Sequence, residues 1–161
     1  MAGTRAQLGA VGGLIAVLAG CAGLGVTPPE TRIAGLRHVE TTPDGALYEI
    51  TVEGANRTGK DLRLESVRYW MTLDGRRVFQ ATRSPQATFS ALDARSFSEP
   101  IAVPAAALPA DPASARYEVG AVIVYRVPGP LARTLFELGV SRPRVRARSA
   151  GVGLPGAGPT P

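Results

Sequence analysis

The sequence predicts an all-β protein, an antiparallel sandwich of short strands with little helix. Three observations carry that expectation. Asp74-Gly75 stands between two apolar runs, and Asp-Gly in that setting signals a hairpin, because both central residues of a type I′ turn need positive φ. Two stretches alternate in strand fashion: Tyr48, Ile50 and Val52 against Glu49, Thr51 and Glu53, and the row Tyr117, Val119, Ala121, Ile123, Tyr125, Val127. With 14 Pro and 19 Gly in 161 residues, the composition suits many turns rather than long helices, and the length suits one domain with a proper core.

The chain opens with Arg5 and then an almost wholly apolar run from Leu8 to Leu18. A charged start and an apolar stretch this short read as a signal peptide over residues 1–20, since a membrane-spanning helix needs about 20 apolar residues. The run ends in Leu18-Ala19-Gly20-Cys21, and Cys21 is the one cysteine of the chain. These four residues resemble the lipobox of bacterial lipoproteins. The resemblance implies cleavage before Cys21, diacylglycerol on its thiol and acylation of the new amino terminus. Several acyl chains hold a protein on a membrane where one binds only marginally. With Ala22 and not Asp after the cysteine, the same resemblance implies the periplasmic face of the outer membrane in a bacterial cell envelope. A single cysteine also excludes an intrachain disulfide framework. Residues 21–31, with Pro28-Pro29, read as a lipidated tether.

The domain is expected over residues 32–149. Ile33 to Glu40 is a weak first strand carrying His38, the lone histidine, without a second ligand near it. Thr42-Pro43-Asp44-Gly45 is a turn, and the Tyr48 strand follows it, ending in the loop Gly54 to Lys60. The stretch Leu62 to Phe79 then forms the hairpin. Leu62 and Leu64 share one parity while Val67, Tyr69, Met71 and Leu73 share the other, so a bulge is expected near Glu65-Ser66. Trp70 falls on the opposite face from Tyr69 and Met71, where it covers a sheet edge or forms an exposed patch.

Beyond the hairpin, Gln86 to Leu92 and Arg95 to Val103 read as an antiparallel pair around Asp93-Ala94. Pro100 marks the second as an edge or bulged strand. Pro104 to Ala115 is a wandering connection. Arg116 to Val127 is the cleanest strand, and Val122 and Val124 on its other face suggest a central position. Residues 130–139 fit either a short helix, with Pro130 first and Gly139 after the end, or an alternating strand. Arg142, Arg144, Arg146 and Arg148 recur at every second residue and would line one face of a strand. They suit an exposed edge that discourages aggregation, or a contact for lipid phosphates or another anionic envelope polymer. Residues 150–161 read as a disordered Gly/Pro tail.

The formal charge is +5, and Lys60 is the one lysine among 18 basic residues. Acids are interspersed throughout, so no block resembles a nucleic-acid site, and export argues against that partner. No catalytic residues, cofactor or metal ligands are expected. There is no Gly-x-Ser-x-Gly elbow, His-Glu-x-x-His or phosphate-cradling loop, and the Asp61 and Glu65 carboxylates read as solvated.

Residues Tyr48 to Val103 resemble the water stress and hypersensitive response (WHy) domain, the group-2 late embryogenesis abundant family. The residues that carry the likeness are Ile50-Thr51-Val52 into Gly54-Ala55-Asn56, Leu62-Arg63-Leu64, Val67-Arg68-Tyr69, Leu73-Asp74-Gly75 with Val78, Ile101-Ala102-Val103-Pro104, and Val119-Gly120-Ala121 in the later strand. The family's Asn-Pro-Asn loop is reduced to Ala55-Asn56-Arg57. The resemblance implies a fibronectin-like β-sandwich of about seven strands and a protective role in desiccation or other stress, exerted through weak contacts with proteins or membranes. The alternative is a specific interaction module, an accessory subunit of an envelope complex or a carrier of an apolar ligand. Its contact surface would be Trp70 with Arg142, Arg144, Arg146 and Arg148. The expected partners are the membrane, through acylated Cys21, and envelope proteins or anionic lipid.

Overall fold

The computed structural model describes residues 27–156. Cys21, the apolar run before it and the last five residues lie outside this range. Eight strands and one short helix follow in the order β1 (Glu30–Thr42), β2 (Gly45–Asn56), β3 (Leu62–Leu73), β4 (Arg76–Arg83), β5 (Thr88–Phe89), β6 (Asp93–Pro104), β7 (Arg116–Arg126), α1 (Pro130–Glu137) and β8 (Arg144–Val152). They form two antiparallel sheets packed as a sandwich. One has the order β1-β2-β6; the other has β4-β3-β7-β8, with β5 added beside β3. The sandwich has eight strands against the seven or so that the resemblance implies.

The hairpin forms as its sequence dictates. Asp74 and Gly75 have φ of 48° and 79°, the left-handed pair that a type I′ turn requires. Asp74 also fastens the turn to the start of β7: its N–H donates to the Arg116 carbonyl (2.8 Å) and its Oδ1 accepts from the Arg116 N–H (2.9 Å). The pairing of β3 with β7 shifts register between Leu64 and Ser66, at the bulge the parity slip predicts. That shift lets Leu62 and Leu64 join Val67, Tyr69, Met71 and Leu73 in one buried row.

The inner row of β2 (Tyr48, Ile50, Val52) and that of β7 (Val119, Ala121, Ile123, Tyr125) meet β3 and Ile101 and Val103 of β6 in one core. This core is closed by residues that all lie between Ile33 and Leu154, so the described residues carry a complete two-sheet interior of their own.

Four expectations change. Gln86–Leu92 and Arg95–Val103 do not pair with each other, because β5 joins β3 and β6 joins β2. The chain crosses between sheets at Leu92, whose φ of 57° turns it and whose N–H donates to the Thr58 carbonyl. The ambiguous stretch 130–139 is a helix, with proline in its first turn and Gly139 at φ 73° past its end. The strands overrun the expected boundaries at both ends, since β1 begins at Glu30 and β8 continues to Val152, with Leu154 packed into the core. Pro100 does sit on an edge strand, β6, where a missing N–H costs no ladder bond.

Trp70 is the fourth. It lies on the outward face, as its parity requires, but it is neither an edge cover nor an exposed patch; only 7% of it is exposed. Its indole lies against Gly120 of β7, where a Cβ would collide with the ring. Arg77 stacks over it at 5.3 Å and Arg148 at 5.7 Å.

Candidate functional site

The polar groups singled out in the sequence, His38, Asp61 and Glu65, each meet different partners. His38 donates to or accepts from Thr41 Oγ1 at 2.9 Å and meets the Tyr48 ring edge-on. Asp61 and Glu65 serve different partners. Asp61 Oδ1 accepts from the Ala91 N–H, while Glu65 pairs with Arg126 at 2.9 Å and Arg63 at 3.9 Å. Among the described residues no three His, Cys, Asp or Glu side chains converge as a metal set would.

One polar cluster is missed by sequence reasoning. Asn56, 1% exposed, donates through Nδ2 to the carbonyls of Lys60 (2.8 Å), Phe89 (2.9 Å) and Ser90 (3.1 Å). Its Oδ1 accepts from Thr58 N–H and Thr58 Oγ1. This one side chain ties the end of β2 to the loop before β3 and to β5. It is a structural staple whose bonds are all internal.

What distinguishes this molecule is the outward face of the five-stranded sheet. Register across β3, β7 and β8 places Trp70, Gly120 and Arg148 in one row, Arg68, Val122 and Arg146 in the next, and Ser66, Val124 and Arg144 in a third. Arg68, Arg144 and Arg146 are exposed, and Val122 and Val124 are half-buried between them. The expected arginine row therefore forms over Arg144, Arg146 and Arg148. Arg142 precedes the strand and instead stacks on Phe136 of α1 at 5.7 Å. Sequence reasoning omits Arg68 and Arg77, because their nearness to the row depends on which strands lie side by side.

The charges on this face are largely uncompensated. Arg148 has Glu118 at 3.7 Å, but Arg68, Arg77, Arg144 and Arg146 have no carboxylate within ion-pair distance among the described residues. The outward face of the other sheet is neutralised by contrast. Arg32 pairs with Glu53 and Arg37 with Glu49 at 3.1 Å, and Thr51 shares a hydrogen bond with Ser98. At the amino end of β1 the Arg57 guanidinium, bonded to both oxygens of Glu30, holds that carboxyl below its usual range.

The described residues thus form a two-sheet antiparallel β-sandwich with an apolar interior. Three solved structures share the fold. The Arabidopsis thaliana protein AT1g01470 aligns with a TM-score of 0.60 and 15% identity over 81% of this chain and 84% of its own. A protein provisionally described as late embryogenesis abundant (LEA), At2g46140.1, gives 0.55 and 15% identity over 81% of this chain and 74% of its own. A protein from Archaeoglobus fulgidus gives 0.51 and 10% identity over 78% of this chain and 97% of its own. No family model matches the chain, and no curated protein matches it.

Proposed function

We propose that this chain is a non-catalytic lipoprotein of a bacterial cell envelope, acylated at Cys21 and held at the periplasmic face of the outer membrane. Its sandwich would protect nearby proteins or membranes in desiccation or related stress. The observation that carries the reading is the LEA-like sandwich itself, with its continuous apolar core between the two sheets. Such a domain acts through its surface, and weak contacts repeated over a surface suit protection better than turnover. Leu18-Ala19-Gly20-Cys21 supports the anchor.

The test is loss of aggregation of a reporter enzyme through cycles of freezing and drying with the chain from Ala22 onward present. The reading requires more protection than an equal mass of albumin gives, and equal protection would sink it. A second reading, a specific accessory subunit, is favoured by the unpaired arginines, since protection in bulk does not need them clustered. It predicts a stoichiometric partner on pull-down that Arg146→Glu removes; an unchanged set of partners removes that reading. The apolar-ligand carrier fits less well, because side chains fill the space between the sheets and a cargo would have to part them.

A further inference from the structure

We propose that the outward face of the five-stranded sheet is a docking surface for the anionic headgroups of a phospholipid bilayer, with Arg68, Arg144, Arg146 and Arg148 as its phosphate contacts. The inference deepens the lipoprotein reading and rests on it. Arginine is the side chain best suited to phosphate, because its planar fork donates two parallel hydrogen bonds. Alternate residues on a strand lie about 6.8 Å apart, so Arg144, Arg146 and Arg148 spread over roughly 13 Å of β8. Arg68 stands two strands away, level with Arg146 across Val122. Spaced so widely, these groups meet many phosphates on a plane better than one phosphate in a pocket.

The bland account of an arginine row is that it guards an edge strand against pairing with another chain. That explains β8, which is an edge. It does not explain Arg68 on β3, an interior strand, which carries positive charge from the β8 row towards Arg77 on the opposite edge, β4.

Position supplies the second argument. The chain enters the domain at Glu30, and Thr31 Oγ1 donates to the Arg146 carbonyl at 3.3 Å. The arginine row thus lies beside the point where the tether arrives. The nine residue steps from Cys21 to Glu30 reach no farther than about 32 Å even when fully extended. An anchored chain would hold this face close to the bilayer, so contacts too weak to recruit a free protein would still form, at high effective concentration.

The chain from Ala22 onward keeps every strand and the whole core, and its one tryptophan, Trp70, reports from the face itself. It is titrated with phosphatidylcholine vesicles with and without phosphatidylglycerol, following Trp70 fluorescence and co-sedimentation. Binding is expected only with phosphatidylglycerol, and it should vanish towards 1 M salt, where screening shortens to about 3 Å. Each surface arginine is worth roughly fivefold in binding, so the double charge reversal Arg144→Glu/Arg146→Glu should weaken binding by at least about thirtyfold. Arg32→Glu/Arg37→Glu on the opposite sheet should stay within about twofold, since those arginines are already paired. Binding to neutral vesicles, no binding at all, equal losses from both double variants, or tight binding of duplex DNA without vesicle binding would each overturn the assignment. Arg68→Gln, a milder change in the middle of a strand, checks that any loss reflects charge and not folding. Failure here leaves the anchor untouched, because acylation at Cys21 is read from mass and not from vesicle binding.

Discussion

The two outward faces of the sandwich share one strand geometry and treat charge in opposite ways. On the three-stranded sheet both β1 arginines find a glutamate on the neighbouring strand, Arg32 with Glu53 and Arg37 with Glu49. On the five-stranded sheet Arg68, Arg144 and Arg146 look outward with no such partner, and the buried Trp70 gives Arg77 and Arg148 an aromatic surface to lie on. Surface arginines cost little when paired and repel one another when not. A face that keeps like charges together gives up a little stability and gains an affinity for anions, and that contrast can be broken at several depths.

The interior that both faces share sets the upper end of the scale. Burial pushes the phenols of Tyr48, Tyr69 and Tyr125 up, with the Glu99 carboxylate adding to the effect on Tyr69. The folded state therefore resists their ionisation. The stability this contributes is complete below the unfolded value of 10.0 and is lost as pH rises from there through the higher folded values, at up to about 1.4 kcal/mol per pH unit for each tyrosine. Phenolate absorbance should rise together with the loss of near-ultraviolet circular dichroism. Free titration of all three near their ordinary value, with the fold intact, would contradict this packing.

Asn56→Ala comes next. It strips the carbonyls of Lys60, Phe89 and Ser90 of their donor, which should cost about 2–4 kcal/mol in urea unfolding. Because Asn56 serves both sheets, the molecules that remain folded should bind vesicles as before.

A lesson confined to one face follows from Gly120→Val. Its side chain would displace the Trp70 indole, costing about 1–3 kcal/mol and shifting Trp70 emission to the red. Thr51→Val, in the middle of the opposite face, should stay within about 0.5 kcal/mol. Smallest are the charges themselves. Glu49→Gln and Glu53→Gln should each cost about 0.2–1 kcal/mol at low salt and nothing at high salt. Arg144→Gln or Arg146→Gln should be neutral or slightly stabilising. If both kinds of substitution destabilise alike, the faces do not differ in the way the ion pairs indicate.

Much of this was legible before any coordinates, and what was not shares one cause. The bulge at Glu65-Ser66, the Asp74-Gly75 turn and the arginine row on β8 are local, because parity along a single strand declares them. Partner choice is not local. Phe89 pairs with β3 and not with β6 because Asn56 holds its carbonyl and Leu92 turns the chain away. Trp70 is covered because Gly120, on another strand, leaves room for its ring. Whether an arginine is paired depends likewise on the strand beside it: Arg32 and Arg37 meet the glutamates of β2, while Arg146 meets Val122. The residues of the candidate face could be named from the alternation, but their freedom from acids could not.

The account stands or falls on the anchor, since the side on which the chain enters decides which face a membrane meets. The most direct measurement is the mass of the amino-terminal peptide of the mature protein isolated from cells that make it. The account predicts a peptide beginning at Cys21 and carrying a thioether-linked diacylglyceryl group and an amide-linked acyl chain. An unmodified Cys21, or a mature chain beginning elsewhere, would contradict it.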